Sequence, residues 1–309
     1  MLYKVSTRLA TSLVGVPLKT PVLAASGTFG YGVEFRDLMD LKSLGGIVVK
    51  GLSREPMDGN APPRLFETQA GMLNSIGLQN IGVQAFVRDK LPELRQLEAT
   101  VFANIFGYAV EDYVEVARAL EDAEGLAGYE LNVSCPNTRH GGMYFSSDPA
   151  LLAEVVSAVK KVVRRRPLIV KLSPNVASIQ PLARAAADAG ADAISLINTF
   201  VALAVDPRTR RPRLGAGFGG LSGPGIKPVA LRMVYEASRA VTIPVIGLGG
   251  IATGTDAAEF MIAGASAVQV GTATFWDPQA PARIARELEQ FLEQENATRA
   301  ADLVGTLKL

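Results

Sequence analysis

Residues 189–197 read AGADAISLI and residues 263–271 read AGASAVQVG. Both set a glycine just past a stretch of helical period and follow it with a short apolar run, so one unit of helix, turn and strand is used twice. A glycine at that point readily takes the left-handed conformation that ends a helix. Working outward, similar β-rich runs recur along the chain: PVLAASG from Pro21, GGIVVKG from Gly45, TVFANIFG from Thr100, YELNVSC from Tyr129, PLIVKLSP from Pro167, AISLINT from Ala193, IPVIGLGG from Ile243 and AVQVGTA from Ala267. Between most of them lie segments of helical period, such as EDYVEVARALEDA from Glu111 and DPALLAEVVSAVKKVVRR from Asp148. Near-continuous apolar strands separated by amphipathic helices indicate parallel strands buried on both faces. Strand and helix alternate eight times. That count suits an α/β protein built as a (β/α)8 TIM barrel better than an open doubly wound sheet, and it puts functional groups at the C-terminal ends of the strands.

A chain of 309 residues fits one such barrel, with residues 1–309 as a single domain and residues 1–20 as an N-terminal extension before the first strand. Charged residues make up 20% of the chain and the formal net charge is +1, which argues against a nucleic-acid partner and for a small substrate. The N-terminal stretch is interrupted by Lys4, Arg8 and Lys19, unlike a signal peptide, and no run of about 18 apolar residues suggests a membrane span. A single cysteine can form no internal disulfide and fits a reducing compartment, so a cytoplasmic protein is expected.

Long connections are expected at the C-terminal face after strands two, four and six. Residues 52–84 and 200–222 exceed simple turns, and long loops on that face usually carry function. Arg208, Arg210, Arg211 and Arg213 in the second of these fit a solvated loop tip and a binding role equally. The run KKVVRRR at 160–166 reads as a helix C-terminus whose cations complement the dipole.

GLGGIATG, residues 247–254, formally matches the dinucleotide pattern G-x-G-x-x-A. The next strand, AVQVGTA, carries no acidic residue to hold a ribose, so the NAD reading fails. What remains is narrower: Gly249 and Gly250, with the turn Gly271-Thr272 after strand eight, either let backbone N–H groups approach a phosphate or only permit tight turns. Lys50 and Lys171 each end an apolar strand. Either one alone could snorkel outward, but two on one barrel face favour a shared anionic ligand. Asn104, Asn132 and Asn198 occupy similar positions and Asn74 lies in the first long loop, so a ring of carboxamides could read a small heterocycle bearing imide and carboxylate groups.

Residues 130–143, ELNVSCPNTRHGGM, hold the only cysteine and the only histidine, Cys135 and His140. A lone cysteine is commonly a small buried hydrophobe. Cys135, however, stands just beyond a barrel strand, before Pro136 and then Gly141-Gly142, which argues for an acid/base group on a mobile loop. His140 has no second histidine and no carboxylate cluster beside it. It reads as an exposed loop residue, and no metal is expected.

At these residues the sequence resembles the dihydroorotate dehydrogenase family, and NVSCPNTRHGGM most resembles its class 1B catalytic subunits. The blocks ASGTFGYG, VVKG, NSIGLQNIGV, ANIFG, NVSCPN, VKLSPN, INTF, LSGPGIKP, GLGGI and VGTA match in family order and spacing over nearly the whole chain. The resemblance implies a flavoprotein oxidoreductase that converts dihydroorotate to orotate in pyrimidine biosynthesis, with one noncovalent FMN. It implies FMN contacts at Ser26, Lys50, Gly51, Asn104, Asn132, Lys171, Ile197, Gly223, Gly249, Gly250, Gly271 and Thr272. Substrate contacts are implied at Lys50, Asn74, Ser75, Ile76, Gly77, Leu78, Asn132, Asn198 and Thr199. Cys135 is implied as the base that takes the C5 proton while the flavin N5 accepts the C6 hydride. A homodimer is implied that joins a subunit carrying FAD and a [2Fe–2S] cluster, through which electrons reach NAD. Three other readings stand beside it: a class 1A-like enzyme using fumarate, a flavin-dependent dihydropyrimidine dehydrogenase, and a catalytically silent barrel scaffold.

Overall fold

The computed structural model describes residues 7–133, 145–146 and 148–309, so Cys135 and His140 lie outside the described residues. Eight short strands close a parallel barrel in chain order: β1 (Val22–Ala24), β2 (Gly46–Val48), β3 (Val101–Ile105), β4 (Gly128–Asn132), β5 (Leu168–Lys171), β6 (Ala193–Leu196), β7 (Val245–Leu248) and β8 (Ala267–Val270). Each of the eight apolar runs supplies one of them. The crossovers carry α1 (Val83–Ala85, a π-helical turn Phe86–Lys90, then Leu91–Gln96), α2 (Val110–Glu121), α3 (Pro149–Lys160), α4 (Gln180–Asp188), α5 (Lys227–Ala240) and α6 (Gly254–Ile262), and α7 (Ala280–Gln294) follows β8. Among the described residues no helix is long and apolar enough to cross a membrane.

The expected eightfold alternation needs one correction. Between β1 and β2 the chain forms only two 3-10 turns, Val33–Phe35 and Leu41–Ser43. Gly27, Gly30 and Gly32 all have positive φ there, a conformation that an α-helix cannot contain. The flank is sealed instead by Phe29, Tyr31, Val33, Leu41 and Leu44, all buried.

Side chains alternate across each barrel strand. In β3, Val101, Ala103 and Ile105 join the outer core beneath the helices, whereas Phe102 points inward. The inward residues Leu23, Val48, Phe102, Ile169, Ala193, Ile246 and Ala267 form a separate apolar cluster with Leu13 and Leu18. Those two leucines belong to a hairpin, Thr11–Leu13 paired with Val16–Leu18. The hairpin thus plugs one end of the barrel.

At the other end the long connections after β2 and β6 are not loose loops. They build one four-stranded antiparallel sheet in the order Phe200–Ala202, Gly219–Ser222, Gly71–Asn74, Leu65–Thr68. Gly220 faces Asn74 and Ser222 faces Met72 in its register. Residues nearly 150 positions apart are therefore held in fixed relation above the strand ends. The connection after β4 falls mostly outside the described residues.

Candidate active site

A cavity of about 860 Å³ opens at the C-terminal ends of the strands, within the size range of small-molecule sites. All twelve residues expected at a flavin line it: Ser26, Lys50, Gly51, Asn104, Asn132, Lys171, Ile197, Gly223, Gly249, Gly250, Gly271 and Thr272. Of the expected substrate contacts, Lys50, Asn74, Ile76, Gly77, Leu78, Asn132, Asn198 and Thr199 line the same cavity. Ser75 does not. Its side chain is fully buried, its N–H donates to the Arg64 carbonyl (2.8 Å), and its own carbonyl accepts from Asn60 Nδ2 (2.9 Å).

Above the apolar plug, the inward positions of β3, β4, β5, β6 and β8 are Asn104, Glu130, Lys171, Ser195 and Gln269, all almost fully buried. Glu130 is their hub. Its Oε1 accepts from Asn104 Nδ2 (2.7 Å) and Lys171 Nζ (3.4 Å), and its Oε2 accepts from Gln269 Nε2 (2.7 Å) and Ser195 Oγ (2.9 Å). The reading of Lys171 from sequence is corrected here: its buried charge has a partner within the chain, 3.4 Å away. A shared ligand is therefore not required to explain the burial of this lysine.

Further up, Asn198 Nδ2 donates to Asn132 Oδ1 (3.3 Å), and Asn198 Oδ1 accepts from the Thr199 N–H (2.9 Å). The Tyr113 hydroxyl donates to the Asn132 carbonyl (3.1 Å). Asn175 fixes the strand after β6 by donating to the Thr199 carbonyl (3.0 Å) and accepting from the Val201 N–H (2.9 Å). Asn74 Nδ2 donates across the added sheet to the Gly220 carbonyl (3.3 Å). Each of these carboxamides is thus hydrogen-bonded to another residue of the chain.

The glycine turns meet at one side of the cavity. Gly250 has φ +83, and a Cβ there would stand 2.8 Å from the Gly223 carbonyl oxygen and 3.0 Å from the Lys227 nitrogen. Only glycine lets the two turns approach so closely. Lys227 clamps them from behind, with Nζ 2.6 Å from Asp256 Oδ1 and 2.8 Å from Glu259 Oε2. Asp256 Oδ2 also accepts from the Ala252 (2.9 Å) and Thr253 (2.8 Å) N–H groups at the start of α6.

Burial alone would raise the Asp256 carboxyl, but hydrogen bonds from Lys227, the Ala252 N–H and Thr253, with the Lys227 charge, outweigh it and hold the carboxyl below the usual carboxylate range. A depressed folded value contributes stability above the unfolded one, about 3.9, which is lost as pH falls through the folded value. The melting temperature of Asp256→Asn should therefore lie below wild type by a constant gap above about pH 5, narrowing below about pH 4. A gap unchanged on acidification would show that the carboxylate charge does not hold the clamp.

Glu130, Ser195, Gln269 and Ser222 were missed from the sequence. Ser222 lines the cavity and accepts from Thr272 Oγ1 (2.8 Å). For the first three a signal existed: polar residues at the inward alternate positions of strands otherwise apolar. The apolar continuity of each run concealed that period of two.

A family model described as dihydroorotate dehydrogenase matches residues 8–292. Among similar proteins, one from Solibacter usitatus named putative dihydroorotate dehydrogenase A (fumarate) is 72% identical, over 97% of this chain and 99% of that protein. Proteins named dihydroorotate dehydrogenase B (NAD(+)), catalytic subunit, from a Geobacter species and from Citrifermentans bemidjiense are 53% and 52% identical, over 97% of this chain and 98% of theirs.

Proposed function

The chain belongs to the dihydroorotate dehydrogenase family, and from that premise we propose that its cavity binds FMN and oxidises dihydroorotate to orotate. One observation carries this reading: the lysines, the carboxamides and the glycine turns, drawn from seven barrel strands and the added sheet, line a single cavity.

The residues present fit the cofactor. Asn104 lines the cavity and its Oδ1 is a buried acceptor with no partner among the described residues, so it suits the N–H of a flavin heterocycle. Lys50 and Lys171 supply cations. The turns at Gly223, Gly249, Gly250 and Gly271 supply the close backbone approach that a phosphate needs. Bound FMN would supply the hydride acceptor. The remaining residues act on the substrate: Asn74, Asn132 and Asn198 orient its imide and carboxylate, Lys50 offsets its negative charge, and the sheet carrying Asn74 excludes water. The proton on C5 needs a base, and Cys135, three residues beyond Asn132, takes it.

For the electrons we propose the NAD-linked route through a separate subunit carrying FAD and a [2Fe–2S] cluster, in an assembly with two copies of each chain. This route is supported by the names of the relatives near 53% identity, by the HGGM form of the loop, and by a single cysteine that cannot ligate a cluster. The relative at 72% identity, named for fumarate, favours a second reading in which the lone chain returns electrons to fumarate. A cytoplasmic location accords with either.

Anaerobic titration tests the substrate. Dihydroorotate should bleach the visible absorbance of the FMN-loaded protein stoichiometrically, and dihydrouracil should not. Bleaching by dihydrouracil alone would reassign the enzyme to dihydropyrimidines, and no bleaching by either would make the barrel silent.

A further inference from the structure

Resting on the reading that the cavity holds FMN, we propose that Glu130 is a positioning residue which fixes the hydrogen-bonding polarity of the cofactor site. It is 0% exposed, and its hydrogen-bond partners, one from each of four other strands, are all donors. Taking a carboxylate out of water is costly even when it is paired, and an apolar core of the same shape is often as stable. Stability is therefore a poor reason for placing it at the centre of a barrel. What it does is orient its neighbours.

A carboxylate can only accept, so the Asn104 amide must turn Nδ2 toward Glu130. The amide oxygen is thereby turned away from Glu130, a buried acceptor with no partner among the described residues, on a side chain that lines the cavity. Lys171 Nζ approaches the same Glu130 oxygen, which leaves its other N–H groups to the cavity it lines. Glu130 thus sets an acceptor and a donor side by side, the complement of an N–H next to a carbonyl on a heterocycle. Gly51 keeps the acceptor open, since a Cβ at that position would lie 2.9 Å from Asn104 Oδ1.

Glu130→Leu removes the acceptor that holds Asn104 Nδ2. The amide is then free to turn, and Asn104 can present Nδ2 to the cavity. The variant should bind FMN at least tenfold more weakly in titration of the apo-protein. The midpoint potential of its bound FMN should rise, because a nearby negative charge has been removed. Asn104→Leu should also weaken FMN, and the double variant should be no weaker than the worse single one, as expected when one residue acts through the other. Glu130→Asp, which keeps the charge but withdraws the oxygens, should weaken FMN in the same direction with a smaller shift in potential, and it serves if the leucine variant does not fold. A folded variant with lowered melting temperature but wild-type FMN affinity and potential would overturn the proposal and leave Glu130 a structural residue. Additive losses in the double variant would also overturn it. Wild-type protein that takes up no FMN would remove the premise itself, a result distinct from either.

Discussion

Purified Cys135→Ala protein should hold FMN at the wild-type level and yet be reduced by dihydroorotate about 10²–10⁴-fold more slowly, the usual contribution of a positioned general base. The two properties separate because the residues proposed to hold the cofactor lie on other elements: the lysines at the ends of β2 and β5, the glycine turns after β7 and β8. An unperturbed thiol titrates near 8.5, so the wild-type rate of flavin reduction should climb with pH as the thiolate fraction grows. Cys135→Ser should remain slow at neutral pH, since a hydroxyl is a far weaker acid. Single-turnover mixing under anaerobic conditions measures all three. A Cys135→Ala protein reduced at the wild-type rate would end the assignment of this residue as base while leaving the cavity's role intact.

The second large effect concerns where the electrons go. The isolated chain, loaded with FMN, should oxidise dihydroorotate with artificial acceptors while reducing NAD poorly, because the strand that follows GLGGIATG lacks the acidic residue that an NAD fingerprint requires. Adding the flavin and iron–sulfur subunit should restore NAD reduction. The names of the relatives divide on this point, fumarate at 72% identity and NAD near 53%. The decisive comparison is turnover of the lone chain with fumarate against turnover of the reconstituted assembly with NAD. Rapid fumarate-dependent turnover without stimulation by any co-purifying flavoprotein would assign the chain to the fumarate-using class with its proposed catalytic residues unchanged.

Much of the barrel was legible in the sequence because its signals are local. A run such as PLIVKLSP declares a strand by composition, and EDYVEVARALEDA declares a helix by its period. The glycines at 190 and 264 mark where helices end, and both have positive φ. The strand-end lysines and asparagines were legible for the same reason: a polar residue that closes an apolar run stands out within a few positions. The one local misreading, a helix between β1 and β2, came from counting units by rhythm where Gly27, Gly30 and Gly32 forbid an α-helix.

What tertiary structure alone decided is how distant positions meet. Gly71–Asn74, paired on one side with Leu65–Thr68, carries no mark that says it will pair on the other with Gly219–Ser222, because a strand's partner is set by three-dimensional closure and not by its own composition. The hub at Glu130 is the sharper case. Gln269 reaches it from 139 residues away, Ser195 from 65 and Lys171 from 41. Each reads by itself as an isolated polar residue in an apolar strand. Closing eight strands into a ring turns their alternate side chains to one axis, and only there do four donors find the same carboxylate. Sequence determined which segments become strands and which residues end them; the polarity inside the barrel belongs to the closed ring, since a buried charge is tolerable only where all of its partners converge.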